Sequence, residues 1–68
     1  MKLSARNSLK GKIVGIKEGG VMANVSVDIG GGNIISSVIT LDSVKDLSLK
    51  AGDEVYAIIK STEVMIGK

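Results

Sequence analysis

The 68-residue chain lacks cysteine, histidine and proline, and Tyr56 is its single aromatic residue. Without cysteine it can form neither a disulfide nor a thiolate metal site. Without histidine it lacks the commonest transition-metal ligand and the commonest general base. A nucleophile would have to be Lys60 or an activated carboxylate, and no pair of carboxylates is spaced for that role. We therefore expect a protein that is not an enzyme and ligates no metal directly.

The charge pattern and the missing aromatics also argue against several kinds of partner. The net charge is only +2, whereas proteins that bind single-stranded nucleic acid stack bases on aromatic side chains in a basic groove. No apolar run approaches the roughly 18 residues of a membrane span. The start of the chain, MKLSARN, lacks the apolar stretch of a signal peptide. We expect a cytoplasmic protein that contacts neither nucleic acid nor membrane.

Size and hydrophobicity together favour an oligomer. A domain this small buries only about 60% of the surface that its unfolded chain exposes, and it usually needs disulfides, a metal or further subunits for stability. Hydrophobic residues nevertheless make up 44% of the sequence. Subunit interfaces would bury the surplus apolar surface and supply the missing stability. We expect residues 1–68 to form one domain that assembles with copies of itself.

Alternating apolar and polar residues indicate β-strands. In residues 21–29 the odd positions are all apolar and the even positions mostly polar, which is the period of a half-buried strand. Glycines at 19–20 and 30–32 suggest turns, and those at 30–32 are better explained by positive φ than by a phosphate loop, since no Lys-Ser/Thr pair follows them. The predicted strands are residues 12–16, 21–29, 34–40, 55–60 and 63–66.

One segment changes from this two-residue period to a helical one. Leu41, Val44 and Leu47 recur at three-residue spacing, and Thr40 or Asp42 can cap a short helix over residues 42–47. Five short strands with one connecting helix predict an all-β fold, a small OB-like Greek-key barrel. A fragment of a β-sandwich is the alternative.

Polar side chains form three clusters at the ends of the predicted strands. Each cluster offers hydrogen-bond donors, two contain a cation, and a donor set of this kind suits an anion that only accepts hydrogen bonds. Unpaired backbone amides at the start of the helix would assist it. Solvated surface groups are the alternative for each cluster taken alone. The clusters are Ser4, Arg6 and Asn7; Thr40 and Ser43; and Lys60, Ser61 and Thr62.

Three longer motifs carry a resemblance that covers essentially the whole chain. They are SARNSLKGKI at 4–13, ITLDSVKDL at 39–47 and AIIKSTEVMIG at 57–67, in this order and spacing. The chain resembles the molbindins, small stand-alone Mop (TOBE-type) molybdate-binding proteins. The resemblance implies an OB-like barrel that assembles as a hexamer, a trimer of dimers, with the N-terminal strand exchanged between subunits.

The resemblance also implies a ligand and a site. Molybdate or tungstate would lie at subunit interfaces, and Ala5 would contribute only its backbone amide. The role of Lys45 stays open, and residues of any site on a three-fold axis are not assigned. The implied residues are Ser4, Ala5, Arg6, Lys60 and Ser61 of one subunit with Thr40 and Ser43 of a neighbour, and the cluster before the first strand adds Asn7.

Three functions are therefore left open. The first is binding and storage of molybdate or tungstate as a tetrahedral oxyanion, without any separate cofactor. The second is binding of a molybdenum-pterin cofactor, which would need an apolar slot and ring-stacking groups, of which Tyr56 is the single example. The third is a purely structural oligomer. Molybdate and tungstate are too similar in size and charge for the sequence to separate them.

Overall fold

The computed structural model describes residues 4–68. Four of the five predicted strands and the predicted helix are confirmed, with shifted ends. The helix covers six residues, and no helix within the described residues is long and apolar enough to cross a membrane. In chain order the elements are β1 (Asn7–Glu18), β2 (Met22–Gly30), β3 (Asn33–Thr40), α1 (Leu41–Asp46), β4 (Glu54–Ile59) and a 3-10 turn (Ser61–Glu63).

The four strands form one antiparallel sheet in the order β3-β2-β1-β4. β1 has two partners: Asn7 to Lys12 pair with Ile59 to Glu54 of β4, and Lys12 to Glu18 pair with Asp28 to Ala23 of β2. A register irregularity between Ile13 and Gly15 lies where the partner changes. Irregularities of this kind bend a strand and increase its twist. The sheet is therefore curled around β1.

The core lies on the concave face of this sheet. The alternation predicted for residues 21–29 is confirmed within β2, because Ala23, Val25 and Val27 are buried, whereas Val21 precedes the strand and is exposed. Ile13 of β1 is the most deeply buried large side chain, at 1% exposure, and Val44 of α1 packs against the same cluster. The period of two in β2 and the helical spacing of Leu41 and Val44 thus point these side chains into one core. Leu47, the third residue of that spacing, is instead 68% exposed.

The glycine turn between β2 and β3 is also confirmed. Gly30, Gly31 and Gly32 all have positive φ, between 64° and 93°. The Asp28 carboxylate accepts a hydrogen bond from the Gly30 N–H at 2.8 Å, and the Asn33 amide donates to the Gly30 carbonyl at 3.2 Å. Glycine adopts this backbone conformation without the steric penalty of a Cβ atom. The triplet is therefore a turn and not a phosphate loop.

The predicted fifth strand, residues 63–66, is not formed in the described chain. Glu63 belongs to the 3-10 turn, and the residues from Val64 onward pair with no strand. The sequence of this segment has strand character, but a strand also needs a neighbour for its hydrogen bonds. β3 and β4 are consequently the two free edges of an open sheet, and the closed five-stranded barrel is not seen in residues 4–68. The alternative, a sandwich fragment, is not seen either, since these residues form a single sheet.

The predicted exchange of the N-terminal strand stays a prediction. In this chain β1 pairs with its own β2 and β4 from Asn7 onward. An exchange of β1 would require the same pairing to form between two copies.

Gly11 of β1 lies close to residues 27–29 of the neighbouring strand β2. A Cβ atom at this position would lie 2.6 Å from the Asp28 carbonyl oxygen and 2.7 Å from the Val27 Cγ1. We expect Gly11→Ala to lower the free energy of unfolding by about 1–3 kcal/mol, the usual cost of overpacking. Urea denaturation measures this change. Gly15→Ala is the matched control in the same strand, because nothing lies within 4 Å of a Cβ atom there. Equal losses at both positions would contradict this prediction.

Candidate functional site

The pairing of β1 with β4 brings two of the three predicted clusters together. Asn7 is the register partner of Ile59. Residues 4–6 precede Asn7, and residues 60 and 61 follow Ile59. The two segments therefore lie side by side at this end of the sheet. Arg6 comes immediately before Asn7, and Lys60 comes immediately after Ile59. The two cations are therefore neighbours at one end of the sheet. The sequence placed these clusters more than fifty residues apart, and the strand register joins them.

The two cations are exposed, and their charges are not neutralised within the described chain. Arg6 and Lys60 are both solvent-exposed, as are Ser4 and Ser61, while Ala5 and Asn7 are half-buried. The one ion pair found among residues 4–68 joins Lys10 to Glu54, at 3.6 Å. A guanidinium and an ammonium group that lack a carboxylate partner can give their charge-assisted hydrogen bonds to an added anion.

Thr40 and Ser43 form a cluster of their own at the start of α1. The Thr40 hydroxyl oxygen accepts a hydrogen bond from the Ser43 N–H at 3.0 Å, which is a helix N-cap. The two hydroxyl oxygens lie 2.7 Å apart, so one of them donates to the other. Each hydroxyl has one hydrogen to donate. One hydroxyl hydrogen of the pair therefore remains available to an external acceptor.

The Thr40 cluster does not meet the Arg6 cluster within one chain. Thr40 pairs with Met22 at the start of β2, next to the end of β1 at Glu18, and the Leu41 N–H donates to the Val21 carbonyl at 2.8 Å. Arg6 precedes the other end of β1, twelve residues of strand away. No hydrogen bond or ion pair in residues 4–68 joins the two clusters. Lys45, whose role was left open, is exposed on α1.

The structure also contains an apolar groove that the sequence did not predict. It has a volume of about 690 Å³ and lies between the free edges β3 and β4, with core residues Ile13, Val25 and Val27 along its floor. Tyr56 is among the residues that line it. The sequence interpretation missed the groove because it placed a fifth strand in the fold and closed the barrel.

Residues 4–68 contain no group of three or more carboxylates placed to hold a metal ion. The donors that do cluster are hydroxyl, ammonium and guanidinium groups, and they match an anion rather than a cation. These donor groups fit a ligand that binds as an intact oxyanion.

Comparison with known proteins agrees with this fold. The model of the TOBE domain family matches residues 3–66. The probable molybdenum-pterin-binding protein of Haemophilus influenzae is 60% identical, with 98% of this chain and 97% of that protein covered. The structure of MopII from Clostridium pasteurianum superposes with a TM-score of 0.92 at 55% identity, covering 98% of this chain and 100% of that one.

A second solved structure is similar over the full length of both chains. It is a molybdate-binding protein from Sporomusa ovata, with a TM-score of 0.93 and 43% identity. The family model and these near full-length matches lead to one assignment: the chain belongs to the TOBE-domain family, as a small Mop-type member.

Proposed function

We propose that the protein binds molybdate, or the similar tungstate, as an intact tetrahedral oxyanion and stores it in the cytoplasm without catalysing a reaction. The observation that carries this proposal is the pairing of Asn7 with Ile59, which places Arg6 beside Lys60. The relative from Sporomusa ovata, described as a molybdate-binding protein, supports the choice of ligand.

The site is shared between two copies of the chain. One copy supplies Ser4, Arg6, Asn7, Lys60 and Ser61 with the Ala5 backbone amide, and its neighbour supplies Thr40 and Ser43. The separation of the two clusters within one chain supports this division, because neither cluster alone surrounds an anion. A tetrahedral dianion has four oxygens that accept hydrogen bonds in different directions, so donors from two sides satisfy it better than donors from one side.

Exposed apolar side chains support an oligomer, which we propose to be a hexamer built as a trimer of dimers. Val21, Leu47 and Val38 are 74%, 68% and 62% exposed in the single chain, and further large apolar residues are exposed as well. Apolar surface of this extent usually marks a protein interface. Exchange of the N-terminal segment between subunits is part of the same proposal.

Selectivity against sulfate follows from the size of the anion. Donors spaced for the larger molybdate leave some hydrogen bonds unmade with sulfate, and an unsatisfied donor carries a free-energy cost. Titration calorimetry with molybdate, repeated in a large excess of sulfate, tests the proposal. We expect the binding heat to survive the sulfate. Sedimentation of the same sample provides the control, since it shows whether the protein is folded and oligomeric.

Two results would contradict these proposals. The absence of heat with either anion, in a folded oligomer, would reject the oxyanion site. A folded monomer at micromolar concentration would reject the hexamer.

A second candidate function is binding of a molybdenum-pterin cofactor. The relative from Haemophilus influenzae is described as a probable molybdenum-pterin-binding protein, and the groove beside Tyr56 is an apolar slot. The polar edge of a pterin needs several hydrogen-bonding partners, whereas the polar side chains along this groove are Ser36, Ser37, Tyr56 and Glu63. Quenching of Tyr56 fluorescence by a pterin, with unchanged affinity in Arg6→Ala, would favour this candidate over the oxyanion site.

A further inference from the structure

Lys60 lies beside Arg6, the single arginine of the sequence. Asn7 and Ile59 are register partners, Arg6 comes immediately before the first, and Lys60 comes immediately after the second. Neighbouring strands of a sheet lie about 5 Å apart, and both side chains are longer than this distance. Both are also exposed. The guanidinium of Arg6 and the amine of Lys60 can therefore reach a common point in the solvent.

Carboxylates do not occupy this pair of cations in the described chain. The ion pair found among residues 4–68 joins Lys10 to Glu54. Glu63, the carboxylate nearest to Lys60 in the sequence, lines the apolar groove. Both cations are thus available to an external group.

The two side chains differ in what they offer to such a group. An arginine guanidinium stays charged and holds two oxygens of a phosphoryl group with its planar fork. A lysine amine becomes a nucleophile when it loses its proton. At Lys60 a nucleophile therefore stands next to Arg6, a group that holds tetrahedral oxyanions.

We propose that Lys60 is a modification site for acyl phosphates, which transfer their acyl group to its amine. An acyl phosphate, for example acetyl phosphate, consists of a tetrahedral phosphoryl group joined through one oxygen to a carbonyl carbon. When Arg6 holds the phosphoryl oxygens, the carbonyl carbon is two bonds away from the phosphorus and within reach of the Lys60 amine. The proposal rests on the proposed function in one respect, that Arg6 binds a tetrahedral oxyanion.

The transfer is balanced without any further reactant. The lone pair of the neutral Lys60 amine attacks the carbonyl carbon and forms a carbon–nitrogen bond. The bond between that carbon and the bridging oxygen breaks, and its electron pair leaves with inorganic phosphate, to which the amine proton passes through solvent. Nothing is oxidised or reduced. Arg6 contributes twice, because it holds the reagent next to the amine and stabilises the charge of the departing phosphate.

The modification and the binding of molybdate exclude each other. Acylation converts the Lys60 ammonium into a neutral amide and so removes one of the two cations of the oxyanion site. Bound molybdate in turn covers Arg6 and keeps the acyl phosphate away. Acylation therefore acts on empty sites and takes them out of use. We expect Lys60→Gln, which imitates the neutral amide, to bind molybdate at least tenfold more weakly than the wild type.

Acetyl phosphate and acetic anhydride together test the proposal on the wild-type protein. Both transfer an acetyl group, but the anhydride has no phosphoryl group for Arg6 to hold and so measures the intrinsic reactivity of each lysine. Mass spectrometry of the peptides gives the acetylated fraction of Lys60 relative to Lys12, an exposed lysine in the middle of β1. We expect this ratio to be at least fivefold higher with acetyl phosphate. Saturating molybdate or Arg6→Ala should reduce it to the value found with the anhydride.

Equal ratios with the two reagents, or a high ratio that persists in Arg6→Ala or with molybdate bound, would overturn the proposal. Molybdate calorimetry of the unmodified protein tests the oxyanion site by itself. Binding of molybdate together with equal ratios rejects the modification and keeps the site. Absence of molybdate binding together with a high ratio that depends on Arg6 rejects the molybdate site and keeps the modification.

Discussion

Replacing Arg6 with alanine is expected to weaken molybdate binding at least about tenfold and to leave the fold intact. Arg6 is exposed, so its loss opens no cavity in the core. Hydrogen bonds to charged groups contribute about 1.5–3 kcal/mol, and a factor of ten in affinity corresponds to about 1.4 kcal/mol. Arg6→Lys keeps the charge but loses the planar fork that holds two oxygens at once. We therefore expect the molybdate affinity of Arg6→Lys to lie between those of the wild type and Arg6→Ala.

Titration calorimetry measures these affinities, and urea denaturation checks that each variant remains folded. Lys12→Ala is the control, because Lys12 is also an exposed cation but lies in the middle of β1, opposite Asp28 and away from both halves of the proposed site. A general effect of net charge would weaken binding in both variants. Wild-type affinity in Arg6→Ala would show that the anion binds elsewhere or that Arg6 is only a surface charge.

The parts of the fold that the sequence predicts well are those determined by neighbouring residues. The two-residue period from Val21 to Ile29 correctly places Ala23, Val25 and Val27 in the core. Thr40 caps α1 because a hydroxyl before a helix accepts from an N–H three residues later, as the structure confirms. In both cases the physical cause lies within a few residues of its effect.

The parts that the sequence does not predict depend on distant pairing. β1 begins at Asn7 rather than at Lys12, because its first residues are held by backbone hydrogen bonds to β4 and not by an alternating apolar pattern. Conversely, residues 63–66 have strand-like composition but pair with no strand among residues 4–68. The two-residue period of a sequence shows which face of a strand is apolar. Whether the strand forms depends on pairing with a neighbouring strand.

The candidate site likewise has one part that the sequence predicts and another part that it does not. The proximity of Thr40 and Ser43 follows from the helix cap and is visible in the sequence. The proximity of Arg6 and Lys60 follows from the Asn7–Ile59 register and requires the structure. The proposed union of these two pairs requires a second copy of the chain, because no hydrogen bond or ion pair joins them within residues 4–68.

Mixing two defective variants is expected to restore wild-type molybdate sites if each site is shared between copies. One variant, Arg6→Ala with Lys60→Ala, lacks the cationic half. The other, Ser43→Ala, lacks a hydroxyl of the second half but keeps the Ser43 N–H that donates to Thr40 in the helix cap. When both chains assemble at random in equal amounts, about a quarter of the interfaces combine two intact halves, because each half is intact in every second chain.

Calorimetry of the mixture, unfolded and refolded together, measures the fraction of sites with wild-type affinity. Wild-type protein taken through the same cycle controls for losses in refolding, and the two variants mixed without unfolding control for slow exchange of subunits. A site contained within one chain would be defective in every chain of the mixture, and no wild-type affinity would return. Recovery near a quarter would instead place the cations and the Ser43 hydroxyl on different copies, as the separation of Arg6 from Thr40 along β1 leads us to expect.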